Sequence, residues 1–225
     1  MGLGNLGPGE FTLRDFPESR NEMQDAGLEG EPLVQVICAR DGTDCSDADE
    51  VLGLHAQYHP THRHLHYQNS YIYDLLKVED AFAEHPTLQV VAVSGKLGLN
   101  PTNEVWLAWD RFDEQPIKWS DSYYVDGATV GWTQRLGAGW GDVYDWTRSG
   151  NFVDFPRDST GMPVGGDYVL RGVSDPLEQI LESNETNNVA YAFFSVTGEG
   201  DVTLHERGYG TDPWDPLRQP ILLTP

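Results

Sequence analysis

The chain has 225 residues, with 36 acidic side chains against 14 basic ones, a formal net charge of −22 and aromatic residues at 11%. That balance argues against nucleic acid or an anionic membrane as a partner, since both are held by basic surface. The aromatic content and the even spread of the acids argue against disorder, and no apolar run approaches the ~20 residues of a membrane-spanning helix.

Residues 1–31 are rich in Gly, Glu and Asp and read as part strand, part loop. From Pro32 the chain becomes short β segments punctuated by turns. The first spans 32–39, and a histidine-rich strand leads into another at 70–76. Acids within 78–84 suit the start of one or two helical turns. The continuous apolar run at 88–94 predicts a strand buried on both faces. Further strands are expected at 104–109, 123–125, 128–133, 151–155, 166–173 and 188–196. Glycines at 198 and 200 then turn the chain into 202–205, a hairpin. Turn signals this frequent, with hardly any helical periodicity, predict an all-β antiparallel sandwich with long loops, in one domain over 1–225.

The densest chemistry lies in His55-Ala-Gln-Tyr-His59-Pro-Thr-His62-Arg-His64-Leu-His66, which holds five of the seven histidines. His62, His64 and His66 recur every second residue, so on a strand they share one face. Neutral imidazoles clustered this way suit copper, zinc, iron or nickel. The bland alternative is a solvated polar strand face.

Lys96 follows the apolar strand in Ser94-Gly95-Lys96-Leu97-Gly98. Desolvation there favours a nucleophilic amine, whereas a turn lysine in water is the ordinary case. In Trp140-Gly-Asp142-Val-Tyr144-Asp-Trp146 the acid and the phenol are two apart. They read either as an aromatic-walled pocket or as an ordinary core strand. Glu182-Ser-Asn184-Glu-Thr-Asn187-Asn188 is dense in oxygen donors. It suits calcium or a turn whose side chains cap their own backbone, and Asn184-Glu-Thr matches the N-glycosylation acceptor pattern. Cys38 and Cys45 lack CxxC spacing and read as a short-loop disulfide of a secreted protein, or as free thiols in the cytosol. The opening Met-Gly-Leu-Gly-Asn carries neither the basic nor the apolar region of a signal peptide, the mark of a cytosolic protein or of a mature form.

Taken in order, these residues resemble the lysyl oxidase catalytic domain in its prokaryotic form. His59-Pro-Thr-His62-Arg-His64-Leu-His66 followed by Tyr73-Asp-Leu-Leu looks like that family's copper-binding segment. Ser94-Gly-Lys96 and Asp142-Val-Tyr144 match the places of its two cofactor-forming residues, and Asp167-Tyr-Val-Leu and Glu182-Ser-Asn-Glu-Thr-Asn-Asn-Val are similar to its closing strands. The resemblance implies copper on His62, His64 and His66 and a lysine tyrosylquinone formed from Lys96 and Tyr144. It also implies calcium near Glu182, Asn184, Asn187 and Asn188, and secretion.

The implied activity is oxidative deamination of a primary amine or a lysine-containing peptide by molecular oxygen, releasing aldehyde, hydrogen peroxide and ammonia. Asp142 would serve as the base. An acidic surface attracts such cationic substrates wherever salt does not screen it. Two rival readings are a secreted β-sandwich adhesion or scaffold module that binds metal without turnover, and a zinc hydrolase with three histidines and a metal-bound water.

Overall fold

A computed structural model describes residues 70–94, 152–182 and 184–221 continuously, and beyond these residues 2–4, 11–15, 33–38, 45–47, 56–59, 64–67, 98, 105–107, 123–124, 132–137 and 139–143. The strands, in chain order, are β1 (Gly2–Gly4), β2 (Phe11–Asp15), β3 (Leu33–Cys38), β4 (Cys45–Asp47), β5 (Ala56–His59) and β6 (His64–Tyr67). They continue with β7 (Tyr71–Glu79), β8 (Thr87–Val93), β9 (Val105–Trp106), β10 (Tyr123–Tyr124) and β11 (Trp132–Leu136). The last are β12 (Trp140–Val143), β13 (Gly166–Ser174), β14 (Val189–Val196), β15 (Val202–Tyr209) and β16 (Gln219–Pro220). One 3₁₀ turn, Glu185–Asn187, is the helical element among the described residues. No helix among them is long and apolar enough to cross a membrane.

Among the described residues every strand pairing is antiparallel, in keeping with the all-β antiparallel expectation. Stacking of sheets into a sandwich is a further property that strand pairing does not itself establish. The backbone contacts group the chain into two compact units, one of residues 1–70, 98–145 and 177–183, the other of 71–97, 146–176 and 184–225. The chain passes from one to the other after Ser70, Leu97, Asp145, Pro176 and Ser183, so the units are interleaved in sequence rather than strung along it.

The first unit holds three sheets, ordered β1-β12-β9, β10-β11-β2-β3-β4 and β5-β6. The second is built on one six-stranded sheet, ordered β16-β15-β14-β13-β7-β8. Consecutive residues on a strand face opposite ways, and in β7 both directions are packed. Leu76 and Val78 join Val169 and Tyr191 on one face, with Phe193 and Trp214 against them. Leu75 joins Tyr168 and Val196 on the other, under Val153 and Phe155. This two-sided burial explains why the middle of the sheet reads as near-continuous apolar sequence. Full burial of a side chain such as Val169 contributes about 1.5–3 kcal/mol. The buried tyrosines place their polar ends: the Tyr168 hydroxyl donates to the Val164 carbonyl at 2.7 Å, and that of Tyr191 donates to Glu206. β16 pairs at Gly208, where a Cβ would stand 2.5 Å from the Gln219 carbonyl oxygen, so glycine is what lets the two backbones meet.

Three local expectations are corrected. β8 is not buried on both faces: among the described residues it pairs with β7 alone, and Val90 and Val93 are about half exposed at 50% and 49%. Helical turns at 78–84 do not form. Val78 and Glu79 complete β7, and the Ala83 N–H closes a turn on the Asp80 carbonyl at 2.9 Å, with Asp80 in the left-handed region at φ 58°. Aspartate tolerates that conformation, and hairpin closure outweighs a weak helix-start signal. The described part of 151–155 is not a strand: Phe152–Phe155 runs irregularly and lays the Phe155 ring 4.7 Å from that of Tyr168.

Candidate metal centre

β5 and β6 form a two-stranded ribbon in which His59 stands opposite His64 and Gln57 opposite His66. Directly opposed residues of an antiparallel pair lie on the same side, as do residues two apart on one strand. The register pairs His59 with His64, Gln57 with His66 and Ala56 with Tyr67 along the ribbon. Tyr67, the last residue of β6, is buried at 1% exposed. The strand begins at His64, leaving His62 in the four-residue connection 60–63 and outside the described residues.

Alternation along one strand points to His62, His64 and His66 and says nothing of His59, whose place opposite His64 comes from strand pairing. The signal that finds it is the hairpin spacing. Two histidines flanking a short connection fall opposite each other once the strands pair.

Lys96 lies outside the described residues, but the chain entering it is fixed. The Ser94 N–H donates to the Tyr73 carbonyl at 2.7 Å, and the Ser94 hydroxyl accepts from the Tyr73 N–H at 3.1 Å. Ser94 is buried and ends the β8 hairpin. Tyr144 also lies outside the described residues, one position beyond β12. Within β12, Trp140 is buried and Asp142 has no exposed surface, with Leu3 of β1 opposite it in the register. A carboxylate placed so deep is retained only where other groups compensate its desolvation.

In the oxygen-rich loop, Asn184 caps the 3₁₀ turn. Its Oδ1 accepts from the Thr186 N–H at 3.0 Å and the Thr186 hydroxyl at 2.7 Å. An amide oxygen has two lone pairs, and both are used. Asn188 Nδ2 donates to Glu185 at 3.3 Å, Glu182 is exposed, and Asn187 is partly buried. These hydrogen bonds make the loop a turn that Asn184 caps. Among the described residues no group of three or more His, Cys, Asp or Glu side chains is placed to hold a metal ion. That search does not cover the side chains of His59, His64 and His66, of which the structure describes the backbone alone.

Cys38 and Cys45 occupy directly opposed positions on β3 and β4. Opposed Cα atoms of an antiparallel pair lie roughly 4.5–5.5 Å apart, within the span of a disulfide.

A cavity of about 470 Å³ lies in the second unit beside Leu88, Trp214, Asp212 and Asp215. Both acids are engaged in the turn that carries them. Asp212 Oδ1 accepts the Trp214 N–H at 2.8 Å, and Asp215 Oδ1 and Oδ2 accept the Leu217 and Thr211 N–H groups at 2.8 and 3.0 Å. Compared with protein-family models and with curated proteins, the chain matches none.

Proposed function

We propose that this chain is a copper-dependent amine oxidase that forms its quinone from its own Lys96 and Tyr144. Its substrates are primary amines or lysine side chains of peptides, and molecular oxygen is the electron acceptor. The observation that supports the reading is the β5–β6 register, in which His59 stands opposite His64 with His66 two positions further along the same strand. An all-imidazole donor set suits copper and offers little to calcium or magnesium. His62, in the connection between the two strands, completes the motif.

The copper and the quinone supply the electron sink that no side chain offers. The chain's own residues bind and orient. Ser94, tied twice to Tyr73, anchors the end of β8 two positions before Lys96. The strand Trp140–Val143, buried over its first three residues, ends one position before Tyr144. Asp142 is the carboxylate we assign to take a proton from the carbon next to the substrate nitrogen, a role that requires substrate to be admitted to its buried position. The overall reaction consumes amine, oxygen and water and yields aldehyde, ammonia and hydrogen peroxide. Calcium near Glu182, Asn184, Asn187 and Asn188 belongs to the same proposal, in a loop where the Asn184 oxygen also caps Thr186. Secretion accompanies the reading through the opposed Cys38 and Cys45.

The test is to load the purified chain with copper, record its visible spectrum, and follow oxygen-dependent peroxide release over a panel of amines. Quinone absorption together with peroxide is the expected result. Tyr144→Phe and Lys96→Ala should each lose both while still binding copper. Copper binding with neither colour nor peroxide would instead make the chain a metal-binding module without turnover.

A further inference from the structure

The connection between β13 and β14 carries Asn184-Glu185-Thr186. The other Asn-x-Thr of the chain, Asn100-Pro101-Thr102, has the central proline that disqualifies an acceptor. The geometry points to Asn184 as an N-glycosylation site that is competent in the folded protein. Its chemistry is independent of copper and of the oxidase reading.

Asn184, Glu185 and Thr186 are all exposed. Asn184 sits in extended conformation, φ −151° and ψ 102°, immediately before the 3₁₀ turn. The orientation of its carboxamide is fixed by chemistry, because the Thr186 backbone N–H can donate only to the oxygen. The Thr186 hydroxyl donates to that same oxygen at 2.7 Å. With both lone pairs of Oδ1 taken, Nδ2 is the end turned away from the turn, and it makes no hydrogen bond among the described residues. Two donors on the carbonyl also make the Nδ2–H more acidic, which eases the proton loss that substitution at this nitrogen requires. The backbone around the site is pinned at its base, where the Ser174 N–H donates to the Asn188 carbonyl at 2.7 Å. The acceptor is thus a presented turn and need not unfold to be reached.

The step joins Nδ2 to the anomeric carbon of a glycan carried on a lipid diphosphate. The anomeric carbon–oxygen bond breaks, the diphosphate leaves with the electron pair, and the Nδ2 proton passes to a base of the transferase. Neighbouring Asn187 and Asn188 lack a hydroxyl residue two positions on and are not acceptors.

The experiment incubates the folded full-length chain with an oligosaccharyltransferase and a lipid-diphosphate-linked glycan, then maps peptides by mass. A synthetic peptide of residues 180–190 checks that the transferase is active. One glycan on Asn184 is expected, retained in Thr186→Ser and lost in Asn184→Gln and Thr186→Val. A folded chain left unmodified while the peptide is modified overturns the proposal. So does modification that survives in Thr186→Val.

Discussion

Asp74 of β7 and Arg171 of β13 stand directly opposite each other in the six-stranded sheet and meet through two hydrogen bonds. Nε donates to Oδ1 at 3.0 Å, and Nη2 donates to Oδ2. Asp74 is 7% exposed, while the Arg171 side chain keeps 27% of its surface in water. This is the acid of Tyr73-Asp-Leu-Leu, and its partner is 97 residues away in sequence. Asp74→Asn leaves the guanidinium fork with half its acceptor, at an expected cost of about 1–3 kcal/mol. The readout is a lower urea midpoint at unchanged slope. Adding Arg171→Gln should recover part of the loss, since the stranded charge is then gone. A midpoint that does not move with Asp74→Asn would show the pair contributes nothing.

Tyr191 and Tyr168 set an alkaline limit on stability. Burial, and then the hydrogen bond to Glu206, pushes the Tyr191 phenol above its ordinary value, and burial does the same to Tyr168. A group raised in the folded state contributes stability that is whole below the unfolded value of about 10 and is lost as pH rises through the folded value. Stability should therefore fall above about pH 10, and Tyr191→Phe should flatten that limb. An alkaline limb equally steep in Tyr191→Phe would mean other groups cause it.

Asp215 behaves in the opposite sense. N–H groups of Thr211 and Leu217 hold its carboxyl below the ordinary range. A depressed carboxyl contributes stability that is present above the unfolded value of about 4 and is lost as pH falls through the folded value. Asp215→Ala should speed amide exchange at Thr211 and Leu217 at neutral pH, and acid should do the same to the unsubstituted protein. Exchange at these two amides that is unchanged in Asp215→Ala would show that the backbone alone holds the turn.

Cys38 and Cys45 should be joined. Non-reducing peptide mapping should return them as one crosslinked species. Cys45→Ala should lower stability by about 2–3 kcal/mol, the chain-entropy value for so short a loop. Two thiols titrating in the untreated protein would refute the pairing.

The β class was legible in the residues because short β-rich runs between turn formers leave the backbone little else to form. The clustered histidines were legible for the same local reason: alternation along a strand needs no partner to be read. What pairs with what was not. His59 joins His64 only through register, Asp74 meets Arg171 only when β7 lies beside β13, and the run at 88–94 proves to be β8, half exposed in its valines. The acids at 78–84 suggested a helix, but closing β7 onto β8 made a turn of them. Sequence records each residue's own preferences, whereas register, burial and ion pairing belong to residues brought together from far apart, and so were decided by the folded chain alone.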